Sequence, residues 1–436
     1  MARKIDVLVI GNGPAGNNAA QAVRRTAPDL SVLILGEEAH PEYSAPALAD
    51  YLAGELDLAG VTVNSFADYA RRGIQLHLGD GAAAIDPAAK LVTTESGEQF
   101  QYGKLILATG SFAVRLRRMP GTNLPGNFVM RTLDDVDAIA AYPAKQAVVV
   151  GSGAIGLEGA LALKQRGYEQ VTVVEALEWL SMKSFDKPTS DRVAAALHRH
   201  GIQVYAGEGV QQVEGDTRVR AVRTAKRTIP CDLVLWGVGM RPQNTLAQQA
   251  GIALGELGGI RVDDRMQTSL PDIYACGDCV ETTDRLTGKP AMNMFWEPAA
   301  RSGQVAGTNA AGGQAEFNGS VALFLTYIGD DCPVVAVGRT EQDLQGSDYQ
   351  LLEDEHHGAY RRVLLQGDRV VGAQLVGTLE GFNLLLDQIQ KQAPADLLLP
   401  ERQEAGRFPA LQLGLAVYLQ QLQSRTGRGG PATLRK

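Results

Sequence analysis

Two glycine-rich fingerprints, IDVLVIGNGPAG at residues 5–16 and AVVVGSGAIG at 147–156, stand 140 residues apart in a chain of 436 residues. Both keep a G-x-G-x-x-G spacing, through Gly11, Gly13 and Gly16 in the first copy and Gly151, Gly153 and Gly156 in the second. Each follows an apolar strand pattern and opens a helix pattern. In such a unit the first glycine makes a tight turn, the second lets backbone approach a pyrophosphate, and the third lets helix and strand pack closely. The phosphates then rest on N–H groups at the positive end of the helix. Two copies in one chain predict an α/β protein that binds two nucleotides. Around the glycines, Pro14 and Ala15 in the first copy and Ile155 in the second complete the two loops.

The acid that reads the adenosine ribose differs between the copies. After the second, VTVVEA ends in Glu175, 19 residues past Gly156. A carboxylate there accepts from ribose hydroxyls and repels a 2′-phosphate, which predicts NAD(H) rather than NADP(H). After the first, LSVLILGEE places Gly36 where the acid usually stands, and Glu37 is the expected partner, shifted by one residue.

The chain is long enough for about three domains, and its composition is that of a soluble globular protein. No apolar run reaches the roughly 18 to 20 residues of a membrane span, and the first strand begins by Ile5, so cytoplasmic residence is expected. The net charge of −8 argues against nucleic acid as a partner, although the last 36 residues carry six Arg/Lys against two acids. Cys231, Cys276, Cys279 and Cys332 do not read as a disulfide framework. Cys276 and Cys279 form a CxxC inside TSLPDIYACGDCVE and are read as structural. His198/His200 and His356/His357 lack a ligand spacing, and no metal is expected.

With YGKLILATG, GVGMRP and ACGD following in order, the chain resembles the pyridine nucleotide-disulfide oxidoreductases, over roughly residues 4 to 400. The resemblance implies two Rossmann-like three-layer nucleotide-binding domains, the second inserted into the first, and a C-terminal α+β interface domain. The expected boundaries are 1–113 with 243–316 for FAD, 114–242 for NAD(H), 317–400 for the interface domain and 401–436 for an amphipathic helix and basic tail. It also implies that Gly11, Gly13 and Gly16 hold the FAD pyrophosphate, that Asp278, after Gly277, takes the ribityl hydroxyls, and that Ala108, Thr109 and Gly110 line the crossing between domains, with Gly239 in GVGMRP beside the second nucleotide. Glu158 matches the family glutamate beside nicotinamide and flavin, with a helix-surface charge as the plain alternative. Trp296, in WEPAARSG, matches an indole beside the flavin in ferredoxin-reductase relatives, with core packing as the alternative.

The most informative departure is an absence. Disulfide reductases and peroxidases of this family carry a redox cysteine soon after the first helix, where this chain has Tyr43-Ser44-Ala45-Pro46-Ala47-Leu48. A serine hydroxyl cannot replace a thiolate that must form a disulfide or sulfenic acid. The stretch GEEAHPEYSAPAL resembles rubredoxin reductases and the flavin-binding part of NADH-dependent nitrite reductases, the spacing in WEPAARSG resembles that of ferredoxin reductases, and the Cys-less form resembles the flavin subunits of multisubunit aldehyde or 2-oxoacid oxidoreductases. The expected activity is NAD(H):acceptor oxidoreduction with an iron–sulfur protein or subunit, in a hetero-oligomer or homodimer. In this reading Glu158 and the second glycine loop position the nicotinamide, while Ser44, Pro46 and Trp296 shape the other flavin surroundings. A freestanding NADH:rubredoxin, ferredoxin or quinone reductase, and a non-enzymatic flavin- or NAD-sensing scaffold, are the alternatives.

Overall fold

A computed structural model describes residues 2–393, which divide into two compact units, residues 2–178 with 198–320 and residues 179–197 with 321–393. The expected tail helix and basic terminus lie outside the described residues. In the first unit, β1 (Arg3–Ile10) runs into α1 (Pro14–Thr26) and back through β2 (Val32–Gly36). An excursion follows with α2 (Leu48–Ala53) and α3 (Phe66–Arg72), then β3 (Ile74–Leu78), β4 (Ala82–Asp86), β5 (Leu91–Thr94) and β6 (Gln99–Leu107). These strands form one sheet in the order β3-β2-β1-β6-β5-β4, joined by Ile273–Ala275 beside β6. The strands from β3 to β6 are parallel, which is why β2 is buried along its whole length.

Alternation along β1 divides the core. Val7 and Val9 face α1, while Leu8 and Ile10 face Val92, Phe100 and Ile252 on the other side. The second fingerprint builds a like arrangement: β7 (Gln146–Val150), α4 (Ala154–Gln165), β8 (Gln170–Val174), β9 (Ile202–Tyr205) and β10 (Leu233–Trp236). Its sheet runs β9-β8-β7-β10, with Asn127–Phe128 at the far edge and all pairs parallel. The chain passes between the two sheets along an antiparallel ribbon, Ser111–Ala113 against Met240–Pro242.

The last helix of this unit, α5 (Trp296–Ala310), packs against α1 at very short range. A Cβ on Gly303 would fall 2.2 Å from the Ala15 carbonyl oxygen, and one on Gly307 would fall 2.1 Å from that of Ala19. Only glycines four apart on α5 permit this approach.

The second unit is an antiparallel sheet of β11 (Leu323–Tyr327), β12 (Pro333–Gly338), β13 (Gln350–His356), β14 (Ala359–Gln366) and β15 (Arg369–Val376), in the order β11-β12-β15-β14-β13. The helix α6 (Phe382–Lys391) buries Leu384, Leu385 and Ile389. Residues 179–197 fall within the expected NAD(H) segment, yet they group with this sheet. Asp186 is the reason. Its carboxylate accepts from Arg362 Nε at 3.0 Å and Gln374 Nε2 at 2.8 Å, both groups being buried, and Phe185 meets Phe324 edge-on at 4.6 Å. A buried carboxylate needs such partners, and here they come from β14 and β15.

Candidate functional site

The helices opened by the fingerprints begin differently from their neighbours. Ser65 and Thr132 cap their helices through side-chain oxygens, whereas α1 starts at Gly13 and α4 at Gly153 with no side-chain cap and no acid in the first turn. The first-turn N–H groups are thereby left for an external acceptor, and an anion is the matching ligand.

The glycines of the two copies do the same three things. Gly11 and Gly151 have φ of +114° and +99°, and a Cβ on them would strike the carbonyl oxygens of Ala108 and Gly237 at 2.1 and 2.3 Å. Gly16 and Gly156 press on the carbonyls of Gly11 and Gly151, where a Cβ would sit at 2.0 and 2.1 Å. Gly13 and Gly153 meet nothing within 4 Å and face open space. These last positions are where a pyrophosphate can approach.

Beside the first loop lies a cleft of about 1210 Å³. Gly11, Gly13, Pro14, Glu37, Ala108, Thr109 and Gly110 line it, as do Glu38, Tyr43, Ala45, Ser111 and Arg131. Ala15 and Gly16 lie behind it, Ala15 in the α1–α5 contact. Thr109 Oγ1 donates to the Gln243 carbonyl at 2.6 Å and Gln243 N–H to the Gly110 carbonyl at 2.9 Å, which pins the crossing. Two carboxylates follow β2 along this wall. Glu37 is exposed, while Glu38 accepts from the Tyr43 hydroxyl at 2.7 Å and is raised above the ordinary carboxylate range by desolvation.

Asp278 reaches the same crossing from the far end of the chain. Its carboxylate accepts from Ser111 Oγ at 2.8 Å and lies 3.8 Å from Arg131 Nη2, while Arg131 Nε donates to the Ser111 carbonyl at 3.2 Å. Desolvation pushes the Asp278 carboxyl upward, and Ser111 and Arg131 partly offset it. Ser111 and Arg131 carry no motif that the sequence reading used; they gain meaning only when three distant segments meet. Gly277, at φ +80°, packs against Ala15, and its N–H donates to Ser302 Oγ on α5 at 3.0 Å.

At the second loop, Glu175 is already engaged. Oε2 accepts from Ser152 N–H at 3.0 Å and Ser152 Oγ at 2.6 Å, and Oε1 from Leu177 N–H at 2.8 Å. The carboxylate braces the loop and keeps lone pairs for a diol. Gly151, Gly153, Ile155, Gly156 and Glu175 gather at this strand–helix turn, and Glu158 follows on α4, half-buried. Gly239, at φ +110°, is tied through its carbonyl to Val114 N–H at 3.0 Å, beside the crossing ribbon.

The excursion reaches toward the helix of the second fingerprint, within the same unit. Gln165 Nε2 on α4 donates to Glu55 at 2.8 Å and Arg166 Nη1 to the Leu52 carbonyl at 3.0 Å, so α2 packs along α4. Ser44 and Pro46 precede α2 and are not among the residues lining the cleft; Pro46 is exposed, and Trp296, at the start of α5, is half-buried and also not among them.

The thiols stand elsewhere. None of the four cysteines is in a disulfide, and all four are buried. Cys279 Sγ points at the Cys276 carbonyl at 3.2 Å, and burial raises both thiols of the CxxC, Cys276 well above its ordinary value, which keeps them protonated. Cys231 is pushed up to about 12 by burial. Among the described residues no group of side chains could hold a metal ion, and no helix is long and apolar enough to cross a membrane.

Two nucleotide-type sheets with parallel strands around each glycine loop, joined by a ribbon, define a two-nucleotide α/β protein. Residues 5–315 match the family described as pyridine nucleotide-disulphide oxidoreductase, and the chain belongs to that family. It is 31% identical over 414 residues to nitrite reductase [NAD(P)H] of Bacillus subtilis (strain 168), covering 92% of this chain and 50% of that protein. It is 39% identical over 286 residues to the 5,5′-dehydrodivanillate O-demethylase ferredoxin reductase subunit of Sphingobium sp. (strain NBRC 103272 / SYK-6), covering 64% of this chain and 68% of that one. In structure it resembles an NAD-dependent persulfide reductase from A. fulgidus, with a TM-score of 0.85 and 27% identity over 97% of this chain and 84% of that one. The chain thus spans about half the length of the nitrite reductase it matches.

Proposed function

We propose that this chain is an FAD-dependent NAD(H):acceptor oxidoreductase whose second substrate is an iron–sulfur protein or subunit. One observation carries the choice of acceptor: the segment ahead of α2 offers Ser44 and no thiol, and the four thiols the chain has are buried. Relatives of the family include proteins named for persulfide and for ferredoxin. Without a thiol, the route through a disulfide is closed and the protein-acceptor branch is favoured.

The residues divide the work. The Gly13 loop and the N–H groups of α1 receive the FAD pyrophosphate, Glu37 or Glu38 accepts from its ribose, and Asp278, steadied by Ser111 and Arg131, accepts from the ribityl hydroxyls. The Gly153 loop receives the pyrophosphate of NAD(H), with Glu175 turned to the adenosine ribose and Glu158 placed to orient the nicotinamide amide. Bound FAD supplies what side chains lack, taking two electrons together from a nicotinamide and releasing them singly. No side chain acts as general base in that exchange; alignment is the protein's contribution.

In this reading the chain is a flavin module within a larger electron-transfer assembly, and a freestanding reductase is the second reading. The test is acceptor competition. NADH-reduced protein is expected to reduce a ferredoxin or rubredoxin at least tenfold faster than coenzyme A disulfide, persulfide or hydrogen peroxide. Comparable turnover with a sulfur acceptor would end this reading.

A further inference from the structure

The acid that a ribose needs stands one residue late in the first copy. Gly11 N–H donates to the Leu35 carbonyl as Gly151 N–H donates to that of Val174, each at 2.8 Å, so Gly36 occupies the place of Glu175. A side chain at 36 has little room, since a Cβ there would meet Leu78 Cδ2 at 2.7 Å and Asn12 Cβ at 3.4 Å. The next two residues are acids with unlike surroundings. Glu38 already holds the Tyr43 hydroxyl, whereas Glu37 is exposed and its carboxylate has no partner among the described residues.

A third acid reaches the same end of the cleft from elsewhere in the chain. Glu95 lies on the turn between β5 and β6, exposed and likewise without a side-chain partner among the described residues. Two links carry that turn to the end of β2. Asp80 N–H donates to the Gly36 carbonyl at 3.3 Å, while the Asp80 carboxylate accepts from Ser96 N–H at 2.9 Å and Ser96 Oγ at 2.6 Å. Glu95 N–H itself donates to the Gly81 carbonyl at 2.9 Å. A Cβ on Gly81 would stand 3.5 Å from Glu37 Cγ and 3.5 Å from Glu95 Cδ, so the two side chains lie within twice that distance of each other. Both line the cleft, together with Gly79, Gly81 and Ala82.

Two open carboxylates define the chemistry of this end. They accept hydrogen bonds and donate none, and they repel a phosphate. The ligand end that fits is neutral and rich in donors, as a ribose diol is. We propose that Glu95 is a specificity-determining residue of the first nucleotide site, forming with Glu37 a two-carboxylate clamp on the adenosine ribose of FAD. Each ribose hydroxyl then has its own acceptor, one from the end of β2 and one from the β5–β6 turn. The clamp rests on the FAD reading proposed above. FMN ends at a single phosphate, has no adenosine, and gains nothing from either acid.

The experiment titrates the full-length protein, freed of flavin, with FAD and separately with FMN, following flavin fluorescence. One hydrogen bond to a charged acceptor is worth about tenfold or more in affinity, so the two acids are expected to give wild-type protein a preference for FAD of about a hundredfold or more. Glu95→Ala is expected to weaken FAD about tenfold or more and FMN less than about twofold. An unchanged affinity for FAD in this variant would overturn the proposal. Equal losses for FAD and FMN would also overturn it, since they report general damage to the cleft rather than a lost ribose contact. Wild-type protein with no preference for FAD over FMN would fail at the earlier step, the FAD assignment of the cleft, and the clamp with it.

Discussion

Replacing Gly13 by alanine separates binding from folding more cleanly than any other change in this chain. The residue has φ −81° and ψ −173°, a conformation open to alanine, and its added methyl meets nothing within 4 Å. Neither strain nor collision opposes the folded state, so unfolding free energy should stay within about 0.5 kcal/mol of wild type. The methyl enters the space that the pyrophosphate needs in order to reach the α1 N–H groups. Losing one hydrogen bond to a charged oxygen costs about 1.5–3 kcal/mol, or roughly 10- to 150-fold in affinity. The assay is the flavin-to-protein absorbance ratio of purified protein, with urea unfolding of the same samples. Gly13→Ala should be flavin-poor and stable. Gly153→Ala, whose methyl also meets nothing, should keep its flavin and be reduced more slowly by NADH. Full flavin in Gly13→Ala, or a stability loss well above 1 kcal/mol, would refute the reasoning.

Three further outcomes follow from the contacts. Glu175→Gln should narrow the preference for NADH over NADPH by roughly tenfold through removal of the repelling charge, read as the ratio of kcat/KM values. Gly303→Ala puts a methyl 2.2 Å from the Ala15 carbonyl and forces α1 and α5 apart, costing about 1–3 kcal/mol in urea unfolding; an unchanged midpoint would show that the helices are not that close. Asp186→Ala removes one of the three carboxylates paired with the buried Arg362 and leaves Arg362 Nε and Gln374 Nε2 without that acceptor, and should destabilise the second unit by about 1–3 kcal/mol, visible as an early transition in calorimetry.

What the sequence conveyed depended on how local each constraint is. The glycine loops were readable because a turn, a close strand and an open helix end all lie within six residues. The brace of Glu175 on Ser152 belongs to one such unit, and its position past the strand could be anticipated, although the hydrogen bonds to Ser152 could not. Gly303 and Gly307 carried a spacing signal, yet their reason lies in carbonyls of α1 nearly 290 residues earlier. Asp186 follows the second fingerprint in sequence and was grouped with it, whereas its charge partner Arg362 is 176 residues away. The same distance hid Arg131 and Ser111 beside Asp278. Asn12 and Tyr69 sit 57 residues apart and pair by no motif, so only the folded chain shows that the Tyr69 hydroxyl donates to Asn12 Oδ1 at 3.0 Å.

The central claim is that electrons entering from NADH meet a flavin and no thiol. Anaerobic titration of the holoprotein with NADH, followed at the flavin absorbance and by the NADH left in solution, counts redox centres directly. One equivalent of NADH per FAD is expected to complete the reduction. Consumption of two equivalents per FAD would reveal a second two-electron centre in the chain and contradict the account.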